Sequence, residues 1–212
     1  IPGVMNANAA KHYLNRYGVL SGQNIALSTN NDSAYSTAIE LSKAGSNVSI
    51  IDCRSSIGNE ITEELNKNNI ELILGKVPYN INGKKSVQDI ELKNLDKESL
   101  NQNHHIKSDL ILLSGGWSPV VHLLSHRGIK PKWNEENLCF IPSEIKEPMT
   151  VAGSALGIWG TSDCVASGVA AGLSAAKSLG LKTIDYFFPK IGGWKNSIQP
   201  LYEVKYKKSR SK

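Results

Sequence analysis

The feature that most constrains the fold is a strand–turn–helix–strand pattern in the first quarter of the chain. Residues 24–28 (NIALS) and 47–52 (NVSIID) are apolar runs with the length and composition of buried strands. A polar turn at residues 29–32 leads into an amphipathic helical segment over residues 33–44, which Gly45 ends. Two buried strands joined by one helix normally lie parallel with a right-handed crossover, so the pattern predicts a βαβ unit.

A second helix and further strands extend this unit. Residues 60–68 predict a helix, with Ser55 or Ser56 as its candidate N-cap, and residues 70–74 predict a third strand. Residues 109–113 (DLILL) predict another buried strand. The order β-α-β-α-β is one half of a doubly wound sheet. The sequence therefore predicts an α/β protein with a Rossmann-like parallel sheet.

The pattern changes over residues 77–100, where polar and apolar residues alternate around Asn82-Gly83, a dipeptide typical of hairpin turns. We predict a small antiparallel meander there. The remaining predicted elements are a helix over residues 7–17 ended by Gly18, a polar loop over 101–105, a short helix over 120–125, a strand-like segment over 149–152 and a helix over 162–179.

The turn after the first strand differs from the glycine-rich fingerprint GxGxxG of dinucleotide-binding units. Thr29 and Asn31 stand where two glycines would let a pyrophosphate approach the helix, and only Ala34 keeps a small residue for packing. Asp32 adds a negative charge where an anion would sit. Asp52, at the end of the second strand, has the position of the acid that binds a ribose. Two interpretations stay open here, a structural scaffold and a functioning nucleotide site.

Two glycine-containing segments are further candidates for ligand contact. Residues 114–119 (SGGWSP) follow a predicted strand, and residues 153–157 (GSALG) precede a predicted helix. Small residues at such junctions let a ligand approach backbone N–H groups. A tight turn with Trp117 as an apolar plug explains the first segment equally well, and close packing of the helix explains the second.

Composition limits the classes of function. The 212 residues suffice for one large or two small domains, and no apolar run approaches the roughly 20 residues that span a bilayer. The net charge of +5 arises in a basic tail over residues 205–212, outside which acidic and basic residues balance, so we expect no nucleic-acid partner. Cys53, Cys139 and Cys164 form no CxxC motif, which indicates a reducing compartment without disulfides.

The residues contain no recognisable catalytic motif. GxSxG, HExxH and P-loop patterns are absent from the sequence. His122 and His126 are one helical turn apart and could bind a metal, but no carboxylate or thiol lies at ligand spacing beside them. We therefore predict no metal site and no nucleophile with its base.

Several segments resemble one protein family, the alpha subunits of heterotetrameric sarcosine oxidases. The resemblance covers nearly the whole chain and is most specific in the Thr-Asn-Asn-Asp turn and in the Gly-Gly-Trp run. The segments that carry it are Pro2–Met5, Tyr13–Val19, Thr29–Tyr35, Ser114–Leu123 and Ala152–Gly157.

The resemblance implies the FAD/NAD(P)-binding fold of pyridine-nucleotide-disulfide reductases, in which one dinucleotide-binding domain is inserted in another. Because the chain begins at Ile1 rather than Met, we expect a piece of a longer polypeptide with an incomplete outer domain. The implied organisation is an outer NAD-binding domain over residues 1–21, an inserted domain over 22–116, the outer domain again over 117–190, and a linker over 191–212 towards folate-binding domains.

The resemblance also implies a reaction. These complexes oxidatively demethylate sarcosine to glycine with oxygen and tetrahydrofolate, and they yield hydrogen peroxide and methylenetetrahydrofolate. We accordingly expect an oxidoreductase acting on CH–NH donors, with NAD in this subunit, FAD and FMN in or against the beta subunit, and further gamma and delta subunits. The expected location is cytoplasmic, without a membrane partner.

For this chain itself, the family implies NAD contacts and no catalytic residue. The expected contacts are Ser114, Gly115, Gly116, Pro119, Gly153, Ser154, Ala155 and Gly157. Two alternatives stay open: a subunit of a related opine, proline or other amine dehydrogenase, and a non-catalytic scaffold that docks a flavoprotein partner. The amine dehydrogenases usually keep a more glycine-rich turn in the inserted domain.

Overall fold

The structure, a computed structural model, describes residues 2–95, 104–145, 149–184 and 197–201. These residues fall into two compact units. The first unit contains the described residues up to Gly116 together with residues 197–201, and the second contains the described residues from Trp117 to Ile184. The basic tail over residues 205–212 lies outside the described residues.

The first unit is an α/β structure built on a five-stranded parallel sheet. Its α-helices are α1 (Ala7–Tyr17), α2 (Tyr35–Lys43) and α3 (Asn59–Lys67). Its strands are β1 (Val4–Asn6), β2 (Asn24–Thr29), β3 (Asn47–Asp52), β4 (Glu71–Leu74), β5 (Lys76–Asn82), β6 (Asp89–Asn94), β7 (His104–Lys107) and β8 (Leu110–Ser114).

The parallel sheet has the strand order β1-β8-β2-β3-β4. Strands β2 and β3 pair in parallel from Asn24 opposite Asn47 to Thr29 opposite Asp52, which confirms the predicted βαβ unit. The winding direction reverses between β2 and β8, so the carboxyl ends of these two strands flank a topological switch point. The predicted α/β class with a Rossmann-like sheet is confirmed.

The two faces of the sheet are covered differently. Along β2, Leu27 points to a core shared with the helices, whereas Ala26 points to the opposite face, as alternation along a strand requires. The helical core also includes Leu41 and Leu65, each fully buried. The opposite face packs on a second cluster that includes Ile90, which comes from a small antiparallel sheet rather than from a helix.

That small sheet has the order β5-β6-β7 and confirms the predicted meander. Its first connection spans residues 83–88, so Asn82-Gly83 starts a longer loop than a two-residue hairpin turn. The predicted polar loop over residues 101–105 is wrong at His104 and His105, because both pair with β6 through their backbones. Polar side chains are compatible with the exposed face of such a strand. Residues 96–103 lie outside the described part.

Local chemistry differs from the predictions at two helix starts. Helix α3 begins after Gly58 without a side-chain cap, so the proposed caps Ser55 and Ser56 are wrong. The segment before α2 forms a separate 3-10 turn over Asp32–Ala34, and Asn31 caps it through its side chain. Helix α2 therefore begins at Tyr35 rather than at residue 33. We attribute this later start to Asn31, whose side chain competes well for the first backbone N–H groups.

The amino-terminal residues belong to the sheet of the first unit. Strand β1 pairs in parallel with β8, from Val4 opposite Ile111 to Asn6 opposite Leu113. Helix α1 follows directly and ends at Gly18, which has φ 65° and donates to Leu14 and Tyr13 carbonyls. The assignment of residues 1–21 and 117–190 to an outer domain, of 22–116 to an inserted one and of 191–212 to a linker stays a prediction.

The second unit is smaller and less regular. It contains a short helix α4 (His122–His126), two antiparallel strands β9 (Pro131–Asn134) and β10 (Cys139–Pro142), a 3-10 turn over Gly153–Leu156, and a long helix α5 (Thr161–Ser178). The strand-like segment over residues 149–152 is wrong. A strand needs a neighbour for its backbone hydrogen bonds, and no described strand pairs with these residues.

Within the described residues, no helix combines the length and the apolar character that crossing a bilayer requires.

Candidate functional site

The candidate site is the carboxyl edge of the parallel sheet. Thr29 at the end of β2 lies opposite Asp52 of β3 on one side and Ser114 of β8 on the other. In open α/β sheets, ligands bind in the crevice beyond these strand ends, at the switch point. The polar side chains that meet at this edge therefore decide whether a nucleotide can enter.

The turn after β2 bonds several of its own backbone groups. The Thr29 hydroxyl donates to the Asn31 carbonyl over 2.9 Å, and Asn31 Oδ1 accepts from the backbone N–H and the hydroxyl of Ser33 at 3.0 and 2.6 Å. The N–H of Tyr35 donates to the Asp32 carbonyl. Asn31 is completely buried. The N–H groups of Asn31, Ser33 and Tyr35, which lie where a helix start would face a phosphate, are thus already bonded within the turn.

Asp52, the predicted ribose acid, is completely buried and fully engaged. Its Oδ1 accepts from the backbone N–H and Nε of Arg54 at 2.8 and 3.0 Å. Its Oδ2 accepts from the Tyr35 hydroxyl at 2.5 Å and from Arg54 Nη2 at 2.7 Å. A carboxylate has about four acceptor positions. All four are used here, so none is left for a ribose hydroxyl.

Arg54 links two carboxylates at this edge. Its Nη2 lies 2.7 Å from Asp52 Oδ2, and its Nη1 lies 2.7 Å from Asp32 Oδ1. Only about 5% of the residue is exposed. Burial by itself would lower the pKa of Arg54, but the hydrogen bonds to Asp52 and Asp32 raise that pKa above its ordinary value. Burial, reinforced by the bond to Asp52, likewise raises the pKa of Tyr35. Arg54 therefore stays a cation between the two carboxylates, and the Tyr35 phenol beside it stays neutral.

A distant part of the same chain covers this cluster. Residues 197–201, which we call the covering segment, form hydrogen bonds with Arg54 and with Asn30 of the turn. Arg54 Nη1 donates to the Ser197 carbonyl over 2.6 Å. Asn30 Nδ2 donates to the Gln199 carbonyl over 2.8 Å, and the Gln199 N–H donates back to the Asn30 carbonyl over 3.0 Å.

The predicted NAD contacts fall into two groups, one in each unit. Ser114, Gly115 and Gly116 follow β8 in the first unit, where Gly116 has φ 106° and a Cβ added there would lie 2.7 Å from Ile198 Cδ1. In the second unit the 3-10 turn contains three predicted contacts and Gly157 ends it in the left-handed region with φ 81°. Those three residues are Gly153, Ser154 and Ala155.

The turn in the second unit is tightly built. A Cβ on Gly157 would lie 2.9 Å from Ile141 Cγ2 and 3.8 Å from Pro119 Cγ, so the structure brings Pro119 and Gly157 together. The Gly153 N–H donates to the Ser167 hydroxyl over 3.2 Å and fixes the turn to α5. The following Trp159 has a buried indole nitrogen without a hydrogen-bond partner among the described residues.

Sequence reasoning missed Tyr35, Arg54 and the covering segment. An arginine two positions after the acid that ends a buried strand is a usable signal for Arg54, because a buried carboxylate needs a cation nearby. Tyr35 offered no such signal. The covering segment is 143 residues away from Arg54 along the chain. Neither its composition nor its periodicity indicates that contact.

We searched the described part of the chain for metal ligands and reactive thiols. No group of three His, Cys, Asp or Glu side chains there could hold a metal ion. The three cysteines are free thiols. Burial, followed by the charge of Asp52, raises the pKa of Cys53 to about 11, which keeps this thiol protonated at neutral pH.

Comparison with known proteins identifies related sequences. The chain is 32% identical over 187 residues to the sarcosine oxidase subunit alpha of Corynebacterium sp. strain P-1, covering 86% of this chain and 19% of the relative. It is 34% identical over 181 residues to the subunit alpha of Rhizobium meliloti strain 1021, covering 85% and 17%. The chain thus spans about a fifth of the length of these curated relatives. No protein-family model matches it.

Solved structures share the fold at low sequence identity. Lactococcus lactis thioredoxin reductase is 22% identical with a TM-score of 0.64, over 83% of this chain and 57% of that protein. Thioredoxin reductase of T. acidophilum is 21% identical with a TM-score of 0.55, over 84% and 56%. The chain is therefore similar in sequence to one segment of sarcosine oxidase alpha subunits, and its fold is similar to that of thioredoxin reductases.

Proposed function

We propose that this chain is part of the alpha subunit of a sarcosine oxidase complex. The observation that carries the proposal is the 32–34% identity to sarcosine oxidase alpha subunits over about 86% of the chain. The complete complex would oxidise sarcosine with oxygen and pass the methyl carbon to tetrahydrofolate. Its products would be glycine, hydrogen peroxide and methylenetetrahydrofolate.

The proposed share of this chain is nucleotide binding and assembly, not bond making. No side chain of the described cluster is arranged as a nucleophile with its base, since Tyr35, Asp52 and Arg54 saturate each other. FAD and FMN would lie in or against the beta subunit, and tetrahydrofolate in domains beyond this segment. Gamma and delta subunits complete the proposed assembly, which we place in the cytoplasm.

We propose the second unit as the place where this chain contributes to an NAD site. Two features fit a dinucleotide there. Gly153 and Gly157 both have left-handed backbones, which leaves the turn without side chains at these points. The Trp159 indole N–H is buried and has no described acceptor, so an oxygen of the bound nucleotide would satisfy it. Bound NAD would supply phosphate and ribose oxygens as acceptors.

The remaining predicted NAD contacts are Ser114, Gly115, Gly116 and Pro119, and we include them in the proposal. Ser114, Gly115 and Gly116 lie in the first unit, where Gly116 packs against Ile198, and Pro119 lies beside Gly157 in the second. The proposed set of NAD contacts is Ser114, Gly115, Gly116, Pro119, Gly153, Ser154, Ala155 and Gly157.

The test uses the complete protein that contains this chain, co-expressed with the products of its neighbouring genes. Peroxide release from sarcosine is measured, and tightly bound nucleotides are extracted and identified. Peroxide with bound NAD and flavin is the expected result. Oxidation of another secondary amine through an artificial dye, without peroxide, would assign the complex to an amine dehydrogenase of the same architecture. A complex without nucleotide in the alpha subunit would indicate a docking scaffold.

A further inference from the structure

The carboxyl edge of the parallel sheet is filled by groups of the chain itself. We propose that the part of this edge formed by residues 29–35, Asp52 and Arg54 binds an extended peptide, the covering segment over residues 197–201, and does not take a dinucleotide. Arg54 is the anchor of that site. The inference does not rest on the proposed function, because none of these residues belongs to the proposed set of NAD contacts.

The groups that would bind a dinucleotide here already have hydrogen-bond partners within the chain. A ribose needs free acceptors on Asp52, and the Arg54 and Tyr35 side chains occupy both of its oxygens. A pyrophosphate needs free N–H groups at the helix start, and Asn31 holds the N–H of Ser33. A nucleotide could enter only by breaking an ion pair that is almost completely buried.

The same edge is well suited to a peptide backbone. The three hydrogen bonds to the covering segment all involve its main chain: two carbonyl oxygens, of Ser197 and Gln199, and the N–H of Gln199. The Gln199 N–H bonds the Asn30 main-chain carbonyl directly, and the side chains of Arg54 and Asn30 hold the two carbonyl oxygens, so the site recognises the main chain of the segment. Between them, Ile198 lies against Gly116, where the missing Cβ leaves room for its side chain.

This arrangement joins two points of the chain. The first unit is left at Gly116 and re-entered near Ser197, and the contact of Ile198 with Gly116 holds these points together within that unit. Arg54, neutralised by Asp32 and Asp52, presents the remaining hydrogen of Nη1 to a main-chain carbonyl.

Hydrogen exchange in the complete protein tests the contact. We expect the Gln199 amide to exchange at least tenfold more slowly than in an unstructured peptide, because it donates to Asn30. Arg54→Ala should accelerate this exchange at least tenfold. Asn30→Ala, which removes the bond to the Gln199 carbonyl and the bond from Asn31 Nδ2 but leaves the ion pairs intact, should accelerate it about fivefold. Arg16→Ala, the loss of an exposed arginine on α1, serves as the control and should change nothing.

Should Arg54→Ala fail to fold, Asn30→Ala carries the test alone. An unprotected Gln199 amide in the wild-type protein would overturn the proposal, and so would equal exchange rates in the wild type and in the folded variants.

The exclusion of nucleotides is tested with added NAD. One millimolar NAD should leave the exchange of Gln199 and of residues 29–35 unchanged, and Asn30→Ala should not alter the amount of nucleotide that co-purifies. A change in the exchange of Gln199 or of residues 29–35 on adding NAD would overturn the exclusion. Loss of sarcosine oxidation with an unchanged Gln199 rate would instead contradict the proposed function and leave this inference intact.

Discussion

Asp52 and Arg54 lie two positions apart at the end of β3, and their side chains form a buried two-point ion pair. Arg54 Nη2 donates to Oδ2 over 2.7 Å, and Nε donates to Oδ1 over 3.0 Å. Asp52 has no exposed surface. Fork-shaped pairs of this kind fix geometry as well as charge. The acid that a dinucleotide-binding unit offers to a ribose is here committed to its own chain.

Removing one partner of this pair should destabilise the sheet strongly. Arg54→Ala leaves a buried carboxylate without its cation, and breaking a buried pair in this way costs about 3–5 kcal/mol. Hydrogen exchange of the Ile50 and Ile51 amides in β3 measures the loss in the complete protein. Arg54→Lys should lower the stability of the sheet less than Arg54→Ala, because lysine keeps the positive charge although it cannot make the two-point contact.

The matched control for Arg54→Ala is Lys11→Ala, which breaks a salt bridge of the same 2.7 Å length to Glu40. Both side chains of that pair are about one-third exposed. Exposed pairs contribute only about 0–1 kcal/mol, so the Ile50 and Ile51 amides should barely respond. Equal effects of the two substitutions would contradict the buried character of the Arg54 pair.

The Cys53 thiol should be inert in the folded protein. Its residue is only 2% exposed, and burial raises its pKa to about 11. Since the thiolate is the reactive form, about one molecule in a thousand carries it at pH 8. We expect an alkylating reagent at pH 8 to modify Cys53 only after denaturation, as followed by mass spectrometry of the digested protein. Modification within minutes in the native protein would contradict the burial of this thiol.

The strands of the parallel sheet could be predicted because their signals are local. Residues of β2 and β3 form apolar runs next to each other in sequence, and the helix between them fixes their direction. The predicted bounds over 47–52 agree with the observed strand, and α1 agrees over 7–17. Elements with distant partners were not predictable in this way, as β7 shows: its strand character depends on pairing with β6.

The same distinction between local and distant signals applies to the candidate site. Asp52 was predicted as the ribose acid from its position at the end of a buried strand, and Thr29 and Asn31 showed that two glycines of the phosphate-binding turn are replaced. Neither observation predicts which cation neutralises the acid, because that choice depends on side-chain geometry within the folded edge. The covering segment reaches Asn30 over 169 residues, a separation at which the sequence alone carries no signal of contact.

The stability of the antiparallel sheet should depend on pH through His105 and Asp89, whose side chains lie 2.9 Å apart. The hydrogen bond to Asp89 raises the pKa of His105. Burial opposes ionisation of Asp89, but bonds from Asn82 and His105 lower its pKa. The His105 contribution is therefore complete below its unfolded pKa and disappears as the pH rises through its folded pKa. The Asp89 contribution disappears as the pH falls through its folded pKa.

The pair should accordingly stabilise the sheet most between about pH 4 and pH 6.5. Deuterium exchange at the imidazole carbon of His105, followed by mass spectrometry over a pH series, measures its pKa in the complete protein. Asp89→Asn should shift the midpoint towards lower pH. The denatured protein provides the reference, and identical midpoints in wild type and variant would show that the pair does not form.

Gly157 should be required for the turn that we assign to NAD. Its φ of 81° lies in the left-handed region, and an added Cβ would meet Ile141 Cγ2 at 2.9 Å. Gly157→Ala therefore adds a contact to the strain of about 1–2 kcal/mol that a left-handed alanine carries. We expect Gly157→Ala to reduce the amount of NAD that co-purifies with the complete protein at least fivefold.

Gly128→Ala separates the effect of the turn from that of backbone strain. Gly128 has a similar φ of 77°, and an added Cβ there would have no described atom within 4 Å. The two substitutions thus share the strain and differ in the contact with Ile141. Because Gly128 lies outside the proposed NAD contacts, its variant should retain NAD at the wild-type ratio even if its unfolding temperature falls. Equal NAD loss in both variants would mean that general destabilisation explains the effect, and the assignment of the Gly153–Gly157 turn to NAD would then fail.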